Sequence, residues 1–436
     1  MGRAAAVAVV VAVAVAGQVA AIDNGIGWDS PPMGWRSWNQ FQCNINQSLI
    51  EAQYVAMSTA RPRAQGTGTT SLVDLGYKGA GIDDCWQKCN SGPNGQGFHT
   101  AEGYPIVDTD IFPDMKAMTA KAKSLGVKPG WYGNNCHCHD RTCCDEKCFK
   151  GDVQATIDFG FESIKLDGCG CVGNITLYSQ LFNASGVHVM LENCHNGHPT
   201  YPFADSDGAV ECPMNFFRSS TDIRPTFGSI LINLESVPTY NGHHLTGRGC
   251  WAYPDMLEVG VTNSQRPGLS TLTYTEARTH FGAWCVVSAP LVIGMDLTDS
   301  AKLDEVWPIL ANEDAIAVNQ AFVGDPGTIV ASSKQTVKME NCSWFNGQGC
   351  EHPTWMVLAK TVSLSPKKVA VLLMNNADAP SDVSIPAASL GIRCAAGTGC
   401  PVHDVWAHAA GKPVTVTVSA SAIPSRDSAF LVVTEV

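Results

Sequence analysis

Residues 163–167 read Ser-Ile-Lys-Leu-Asp, a short apolar run that ends on an acidic residue. Side chains alternate along a strand, so Lys165 lies on the same face as Asp167. A cation on that face keeps the carboxylate ionised, as a nucleophile requires. This stretch therefore predicts a buried strand that ends at a reactive site.

Similar apolar runs recur between about residues 23 and 326, and stretches able to form helices follow them. The strands that we assign end near Trp38, Asp83, Tyr132, Asp167, Leu191, Arg218, Trp251 and Ile293. Eight strands alternating with helices over roughly 250 to 300 residues predict an α/β fold, a (β/α)8 barrel, because parallel strands need a crossover between them.

The helical signal varies along the barrel segment. Residues 112–125 carry apolar side chains at helical spacing and stop at Gly126. Residues 61–70 occupy a place where a crossover helix is expected, but their Pro, Gly and Thr content opposes one.

After Pro326 the pattern changes to alternating segments such as residues 368–373 and 414–418, separated by turn residues. No helical stretch intervenes, which indicates an antiparallel β-sandwich. We expect a signal peptide over 1–21, a catalytic barrel over 22–326 and a sandwich over 327–436.

The amino terminus indicates export. Arg3 precedes an uncharged run over residues 4–16, and small residues follow it up to Ala21. This pattern favours a cleaved signal peptide over a membrane anchor. The 18 cysteines, and the glycosylation sequons at Asn46, Asn174, Asn183 and Asn341, agree with an oxidising route. We expect a secreted protein, or one in a lysosome-like or vacuolar compartment.

Composition excludes several classes of partner. The chain is 45% hydrophobic and 16% charged, which is typical of a folded globular protein. Its 28 basic and 40 acidic residues give a net charge of -12. Nucleic acid and membrane surfaces are therefore not expected as partners, because no cationic surplus exists to bind them.

Two acids, Asp167 and Asp222, stand at or just after strand ends of this barrel. Such a pair can flank a glycosidic bond, where one carboxylate attacks the anomeric carbon and the other protonates the leaving oxygen. This chemistry needs no metal or other cofactor. Taken alone, each acid could equally be a salt-bridged or helix-capping residue.

Aromatic and acidic residues gather near the same strand ends. Sugar rings bury an apolar face on aromatic side chains, and their hydroxyls donate to carboxylates. The concentration therefore favours a carbohydrate ligand. The residues concerned are Trp38, Trp86, Tyr132, Trp251, Tyr253, Asp83, Asp84 and Asp255.

Five segments resemble, in order, the motif set of the α-galactosidases and α-N-acetylgalactosaminidases of glycoside hydrolase family 27. They are Ile-Asp-Asn-Gly at 22–25, Met-Gly-Trp-Arg-Ser-Trp at 33–38, Gly-Ile-Asp-Asp-Cys-Trp at 81–86, Lys-Leu-Asp-Gly-Cys at 165–169 and Trp-Ala-Tyr-Pro-Asp-Met-Leu at 251–257. The resemblance implies a barrel followed by a sandwich, and a retaining mechanism on a terminal α-galactoside. It makes Asp167 the nucleophile and Asp222 the acid/base.

The resemblance also implies how the sugar is held. Trp38 would stack on the ring, Asp83 and Asp84 would accept its hydroxyls, and Arg218 would bind near its 2-position. Tyr132, Lys165 and Asp255 are implied as further contacts.

One region departs from the family. The usual members carry Cys-Glu-Trp after strand five, whereas this chain has Leu-Glu-Asn-Cys-His over 191–195, which puts His195 at the specificity position. Tyr253 stands where an aspartate is usual. The sugar specificity therefore stays undecided between α-galactose, α-N-acetylgalactosamine, β-L-arabinopyranose and an isomalto-type glucan. A non-catalytic carbohydrate-binding protein, a transglycosylase and a homodimer also stay open.

The resemblance implies three disulfides: Cys43–Cys85, Cys136–Cys169 and Cys194–Cys212. The crowded run over 136–148 could instead hold zinc, but its spacing and the oxidising route favour extra disulfides. For Cys342, Cys350, Cys394 and Cys400 we expect two small loops in the sandwich.

Overall fold

The computed structural model describes residues 29–133, 136–170, 173–194, 212–243, 245–262, 271–342 and 349–436. It also gives the backbone of three short strand segments, Ala20–Ala21, Phe203–Ala204 and Val210–Cys212. His195 and residues 1–19 of the expected signal peptide lie outside the described residues.

Eight parallel strands form one sheet in the expected order. From the first strand to the seventh, each strand is hydrogen-bonded to the next, and the eighth pairs with the first. A bridge between Leu257 and Ile293 joins the chain after the seventh strand to the eighth. The predicted (β/α)8 barrel is confirmed. Its strands are β1 (Met33–Arg36), β2 (Gly79–Gly81), β3 (Lys128–Tyr132), β4 (Ser163–Asp167), β5 (Met190–Cys194), β6 (Phe216–Arg218), β7 (Trp251–Tyr253) and β8 (Leu291–Ile293).

Glycine allows the first two strands to approach closely. A Cβ atom on Gly34 would lie 2.4 Å from the carbonyl oxygen of Gly79, so β1 and β2 could not pair in this way with a larger residue there.

Helices surround the barrel. They are α1 (Gln47–Ser58), α2 (Met115–Ser124), α3 (Glu146–Phe159), α4 (Ile175–Ser185), α5 (Phe227–Leu234), α6 (Tyr274–Val286), α7 (Ser300–Leu310) and α8 (Glu313–Gln320). The helix expected over 112–125 is α2, and it begins at Met115 because the Asp114 side chain accepts from the backbone of Ala117. Met115, Met118 and Ala122 are buried, as their spacing predicts.

The segment over 61–70 forms a hairpin, in which Arg61–Pro62 pairs with Thr69–Thr70. The hairpin packs on α7, where the indole of Trp307 donates to the Pro62 carbonyl over 2.7 Å and Arg61 pairs with Asp304. The crossover helix of this unit is α1, which lies before the hairpin. The composition argument against a helix over these residues is therefore confirmed.

The strands after residue 327 pair antiparallel, as expected. The described residues of this region form a six-stranded sheet and two two-stranded sheets. One of the two-stranded sheets contributes Val383, Ile385 and Val418 to a core shared with the six-stranded sheet. The strands are β9 (Thr328–Ser332), β10 (Thr336–Met339), β11 (Cys350–Pro353), β12 (Trp355–Leu364), β13 (Lys367–Asn375), β14 (Ser381–Pro386), β15 (Val402–Asp404), β16 (Ala409–Ala410), β17 (Thr417–Ile423) and β18 (Ser428–Thr434).

Strand β13 connects the two regions through its alternating faces. Val369, Val371 and Leu373 belong to the core of the antiparallel region. Leu372 and Met374 point the other way and join the barrel core. The two regions therefore share a continuous apolar interface.

The described part of the chain contains no helix that is both apolar enough and long enough to cross a bilayer.

Most of the expected disulfides are present. Cys43–Cys85, Cys136–Cys169, Cys342–Cys350 and Cys394–Cys400 are confirmed. Cys89–Cys138 and Cys143–Cys148 add two more. These bonds confirm that the run over 136–148 forms extra disulfides. Cysteines in disulfides have no thiolate to offer, so the bonded residues of this run cannot act as zinc ligands.

The expected Cys194–Cys212 disulfide is wrong. Cys212 is bonded to Cys250, the residue before β7, with 6.2 Å between their Cα atoms. Cys194 is a buried thiol at the end of β5, where its sulfur lies 3.5 Å from a guanidinium nitrogen of Arg218. Its side chain points toward the cation on β6, and the pairing fails for that reason.

Candidate active site

The strand register places chemical groups side by side at one end of the barrel. Tyr132 on β3 pairs with Lys165 on β4, which pairs with Glu192 on β5. Two residues further along the same pair of strands, Asp167 pairs with Cys194. The carboxyl ends of these strands therefore bring the predicted nucleophile and its neighbours to the barrel mouth.

Asp167 is held by hydrogen bonds to both of its carboxylate oxygens. The Tyr132 hydroxyl donates to Oδ2 over 3.0 Å, and the backbone N–H of Gly168 donates to Oδ1 over 2.7 Å. Burial, and then the charge of Asp167, raise the pKa of Tyr132 well above its usual range, so the hydroxyl keeps its proton. The partly exposed carboxylate is thus held in a fixed orientation.

Lys165 places a buried cation between two carboxylates. Its Nζ lies 2.8 Å from Oδ2 of Asp83 and 5.4 Å from the centre of the Tyr132 ring. Burial alone would lower the pKa of Lys165, but the charges of Asp83, Cys194 and Asp167 outweigh it and raise that pKa. The side chain is therefore charged and neutralises part of the negative potential near Asp167.

The loop after β2 carries two buried acids. The backbone N–H of Asp83 donates to the Ser37 hydroxyl over 3.0 Å. Asp84 accepts from the backbone N–H groups of Cys85 and His137, over 2.8 and 2.6 Å. Burial raises the pKa of Asp84 to about 6 despite these bonds. Both carboxyls are fixed by the backbone and can accept from a ligand.

Arg218 joins the predicted acid/base to the loop after β7. One guanidinium nitrogen lies 3.0 Å from Oδ1 of Asp222 and 2.6 Å from Oδ2 of Asp255. Asp255 is buried, whereas the Asp222 side chain is 43% exposed. Asp222 therefore reaches solvent, which a residue that exchanges protons with water must do.

Asp255 adopts a backbone conformation that L-residues rarely take, with φ at 88°. The Asp255 carboxylate accepts hydrogen bonds from the backbone N–H groups of Ile223 and Met256, over 2.9 and 2.8 Å, and these bonds help to hold the strained backbone. Backbone strain of this kind persists only where the surroundings enforce it, and it is common at functional sites.

Three further groups lie near the site, and the sequence analysis gives two of them, Arg36 and Glu192, no role in binding or catalysis. Arg36 is buried and pairs with Glu192, and it lies 3.7 Å from Asp83. Burial raises the pKa of Glu192, although Arg36 opposes the shift. Tyr253, also buried, has a hydroxyl with no hydrogen-bond partner among the described residues. A charged residue inside an apolar strand was the available signal for Arg36.

The predicted residues thus form two sets. Asp83, Tyr132, Lys165 and Asp167 are linked through Lys165 and the Tyr132 hydroxyl. Arg218, Asp222 and Asp255 are linked through the guanidinium. Trp38 is half-buried just after β1 and Asp84 adjoins Asp83, while His195 lies outside the described residues.

The family model described as Melibiase_2, alpha galactosidase A, matches residues 30–321 of the chain. The chain belongs to glycoside hydrolase family 27. This family 27 chain is 28% identical to the α-galactosidase of Cyamopsis tetragonoloba over 406 aligned residues. The alignment covers 91% of this chain and 84% of that relative. The chain is 28% identical over 326 residues to the α-N-acetylgalactosaminidase of Gallus gallus, covering 70% and 74%.

A solved structure agrees in fold. The α-galactosidase I of Mortierella vinacea superposes with a TM-score of 0.73 at 19% identity, covering 95% of this chain and 98% of that one. The barrel and the antiparallel region of this family 27 member are therefore shared along nearly their whole length.

The Cys136–Cys169 disulfide of this family 27 chain adjoins the predicted nucleophile, because Tyr132 donates to both Cys136 Sγ and Asp167 over 3.0 Å. We expect the double variant Cys136→Ser/Cys169→Ser to lower kcat/KM at least tenfold, roughly the cost of misplacing a catalytic group. Chain entropy predicts a stability loss of about 4 kcal/mol for this loop. Aryl α-galactoside kinetics and urea unfolding measure both.

The matched control is Cys143→Ser/Cys148→Ser, which opens a loop with a separation of 5 residues instead of 33. It should cost about 2 kcal/mol and leave kcat/KM within roughly a factor of two to three. Equal activity losses in the two double variants would contradict a specific role for the bond beside Asp167.

Proposed function

We propose that the protein is a retaining α-galactosidase that releases terminal α-galactose by double displacement. The observation that carries the proposal is the Asp167 carboxylate, which is oriented by Tyr132 and Gly168 next to the buried Lys165 cation. The activity is that of the curated relative from Cyamopsis tetragonoloba.

In the first step an Asp167 oxygen attacks the anomeric carbon, and the bond from that carbon to the leaving oxygen breaks. Asp222 gives its proton to the leaving oxygen, so the free alcohol departs and a covalent glycosyl ester remains. Lys165 stabilises the ionised nucleophile before attack.

In the second step Asp222, now ionised, takes a proton from water, which attacks the anomeric carbon and releases Asp167. The guanidinium of Arg218, 3.0 Å from Asp222, holds this carboxyl group in place for both steps. The two inversions together keep the α configuration. An acceptor sugar in place of water would give transglycosylation by the same chemistry.

The ring would stack on Trp38, while Asp83 and Asp84 accept its hydroxyls. Asp84 is fixed through two backbone donors and Asp83 through Lys165, so their positions are set before the substrate arrives. Such preorganisation lowers the cost of binding a polar ring. We assign Arg218 and Asp255 to the side of the ring nearest Asp222.

The end of β5 differs from the usual family sequence, so the identity of the preferred sugar needs a direct test. Aryl glycosides of α-galactose, α-N-acetylgalactosamine, β-L-arabinopyranose and α-glucose are compared by kcat/KM on protein made through an oxidising pathway. We expect α-galactoside to give the highest value. A higher value for another sugar would overturn the galactose assignment while keeping the mechanism, and binding without turnover of any would overturn the enzyme.

We also propose that the chain enters the secretory pathway through a cleaved segment over 1–21, and divides into a barrel over 22–326 and a sandwich over 327–436. The disulfides support an oxidising compartment. Mass spectrometry of the mature protein tests the cleavage point and glycosylation at Asn46, Asn174, Asn183 and Asn341.

A further inference from the structure

Two segments that carry proposed sugar contacts are joined below the barrel mouth. Trp38 begins a one-turn helix, Trp38–Phe41, directly after β1. Asp255 lies on the loop after β7. The joining residues are Asn39 and Gln40 from the first segment and Glu258 and Thr262 from the second.

Two connections hold the segments together, and the first of them, the outer join, consists of two hydrogen bonds between Gln40 and Thr262. The Gln40 amide donates to the Thr262 hydroxyl over 2.8 Å, and the Thr262 backbone N–H donates to the Gln40 carbonyl oxygen over 2.9 Å. The inner join is a hydrogen bond from the Asn39 amide to Oε1 of Glu258. The two segments are thus held at two levels, of which only the inner one involves an ionisable group.

The Glu258 side chain is buried and only partly satisfied by hydrogen bonds. The residue is 1% exposed, and its Oε2 has no hydrogen-bond partner within the described ranges. The titratable groups that face it there are Asp255 on its own loop and His280 on α6, whose Nε2 accepts from the Glu258 backbone over 3.0 Å. Neither supplies a positive charge, because burial lowers the pKa of His280 to about 3.

We propose that Glu258 is a positioning residue, which in its neutral form holds the Trp38 turn against the loop that carries Asp255. This inference rests on the proposed function, since it concerns how the sugar-stacking tryptophan is held. It assigns Glu258 no contact with the substrate or the reacting atoms. Ionisation would bury a negative charge near Asp255 with no cation facing it, a cost that the hydrogen bond from Asn39 does not offset. That cost favours movement of the carboxylate toward water, out of the inner join.

The surroundings of Glu258 set the pH at which its side chain ionises. Burial raises the pKa of Glu258 to about 8, although the Asn39 hydrogen bond opposes the shift. The folded protein therefore keeps a proton that the unfolded chain releases above its ordinary pKa of 4.5. Stability from this group is full below that value and declines as the pH rises toward 8, because the unfolded state then binds fewer protons.

The test compares wild type with Glu258→Gln, which keeps an acceptor for Asn39 and cannot ionise. The measurement is the ratio of variant to wild-type kcat/KM on an aryl α-galactoside from pH 6 to 9, because pH effects that the two proteins share cancel in that ratio. If only the protonated form binds well, the ratio should rise by up to about tenfold by pH 9, mainly through KM. A matched control, Glu276→Gln, changes another buried glutamate and should give a flat ratio.

A ratio that stays flat for Glu258→Gln, with an active wild type, would overturn the inference, even if the melting temperatures of the two proteins diverge with pH. A wild type inactive on every galactoside would instead overturn the proposed function. Should Glu258→Gln fail to fold, Asn39→Ala tests the same join from the other side. It should raise KM several-fold with little change in kcat, and an unchanged KM would count against the proposal.

Discussion

Asp167→Asn is expected to abolish hydrolysis of aryl α-galactosides, lowering kcat/KM by roughly 10⁴-fold or more. An amide is too weak a nucleophile to form the glycosyl ester, so the double displacement stops at its first step. The fold should persist, because the amide oxygen can still accept from Tyr132 or Gly168. Initial rates and a thermal melt measure the two effects separately.

The control for this variant is Asp158→Asn on α3, an exposed carboxylate that pairs with Gln154 and Tyr104. It makes the same chemical change away from the barrel mouth and should leave kcat/KM unchanged. Substantial residual activity in Asp167→Asn, beyond contamination by wild type, would assign the nucleophile to another residue.

The second large effect is expected for Lys165→Met. The substitution leaves the buried Asp83 carboxylate without the cation that lies 2.8 Å away. Breaking a buried pair from one side costs about 3 kcal/mol or more. Asp83 would then keep only the more distant Arg36, 3.7 Å away, as a positive partner. Activity should also fall by on the order of 10²-fold, since Asp167 loses a nearby positive charge. Urea unfolding and steady-state kinetics test the prediction.

A double variant separates stability from catalysis. Asp83→Asn/Lys165→Met removes both charges and should recover much of the stability, whereas activity should stay low. Lys121→Met is the surface control, because this half-exposed lysine pairs with Glu51 and should cost no more than about 1 kcal/mol. Recovery of activity in the double variant would show that Lys165 matters only for stability.

The barrel could be predicted because each strand carries its own local pattern. Residues 163–167 form β4 as expected, and Tyr132, Arg218 and Ile293 end their strands where the apolar runs end. Parallel strands that are buried on both faces leave this mark in the sequence without any knowledge of their neighbours.

Pairings between distant residues could not be predicted in the same way. The resemblance suggested Cys194 as the partner of Cys212, yet the end of β5 points its thiol toward Arg218 and leaves Cys250 beside Cys212. Disulfide connectivity depends on which Cβ atoms face each other in space, and a one-dimensional pattern does not contain that information.

The same limit applies to groups that support the site. Arg36 stands in a quoted motif, but its partner Glu192 lies 156 residues away, and Asn39 meets Glu258 across 219 residues. The hairpin over 61–70 could not be predicted for the same reason, because its contacts are made by α7. Sequence reasoning proposed the reactive groups but missed the side chains that hold them in position.

The covalent intermediate on Asp167 is the most direct test of the proposed mechanism. A 2,2-difluorinated α-galactoside with an activated leaving group slows both steps, because fluorine destabilises the oxocarbenium-like transition state, while the good leaving group lets the ester form. Peptide mapping by mass spectrometry should then find the fluorinated sugar on the peptide that contains residues 165–168, esterified to Asp167. A sugar attached to any other residue, or full turnover of ordinary substrate with inverted α-to-β stereochemistry, would contradict a double displacement at Asp167.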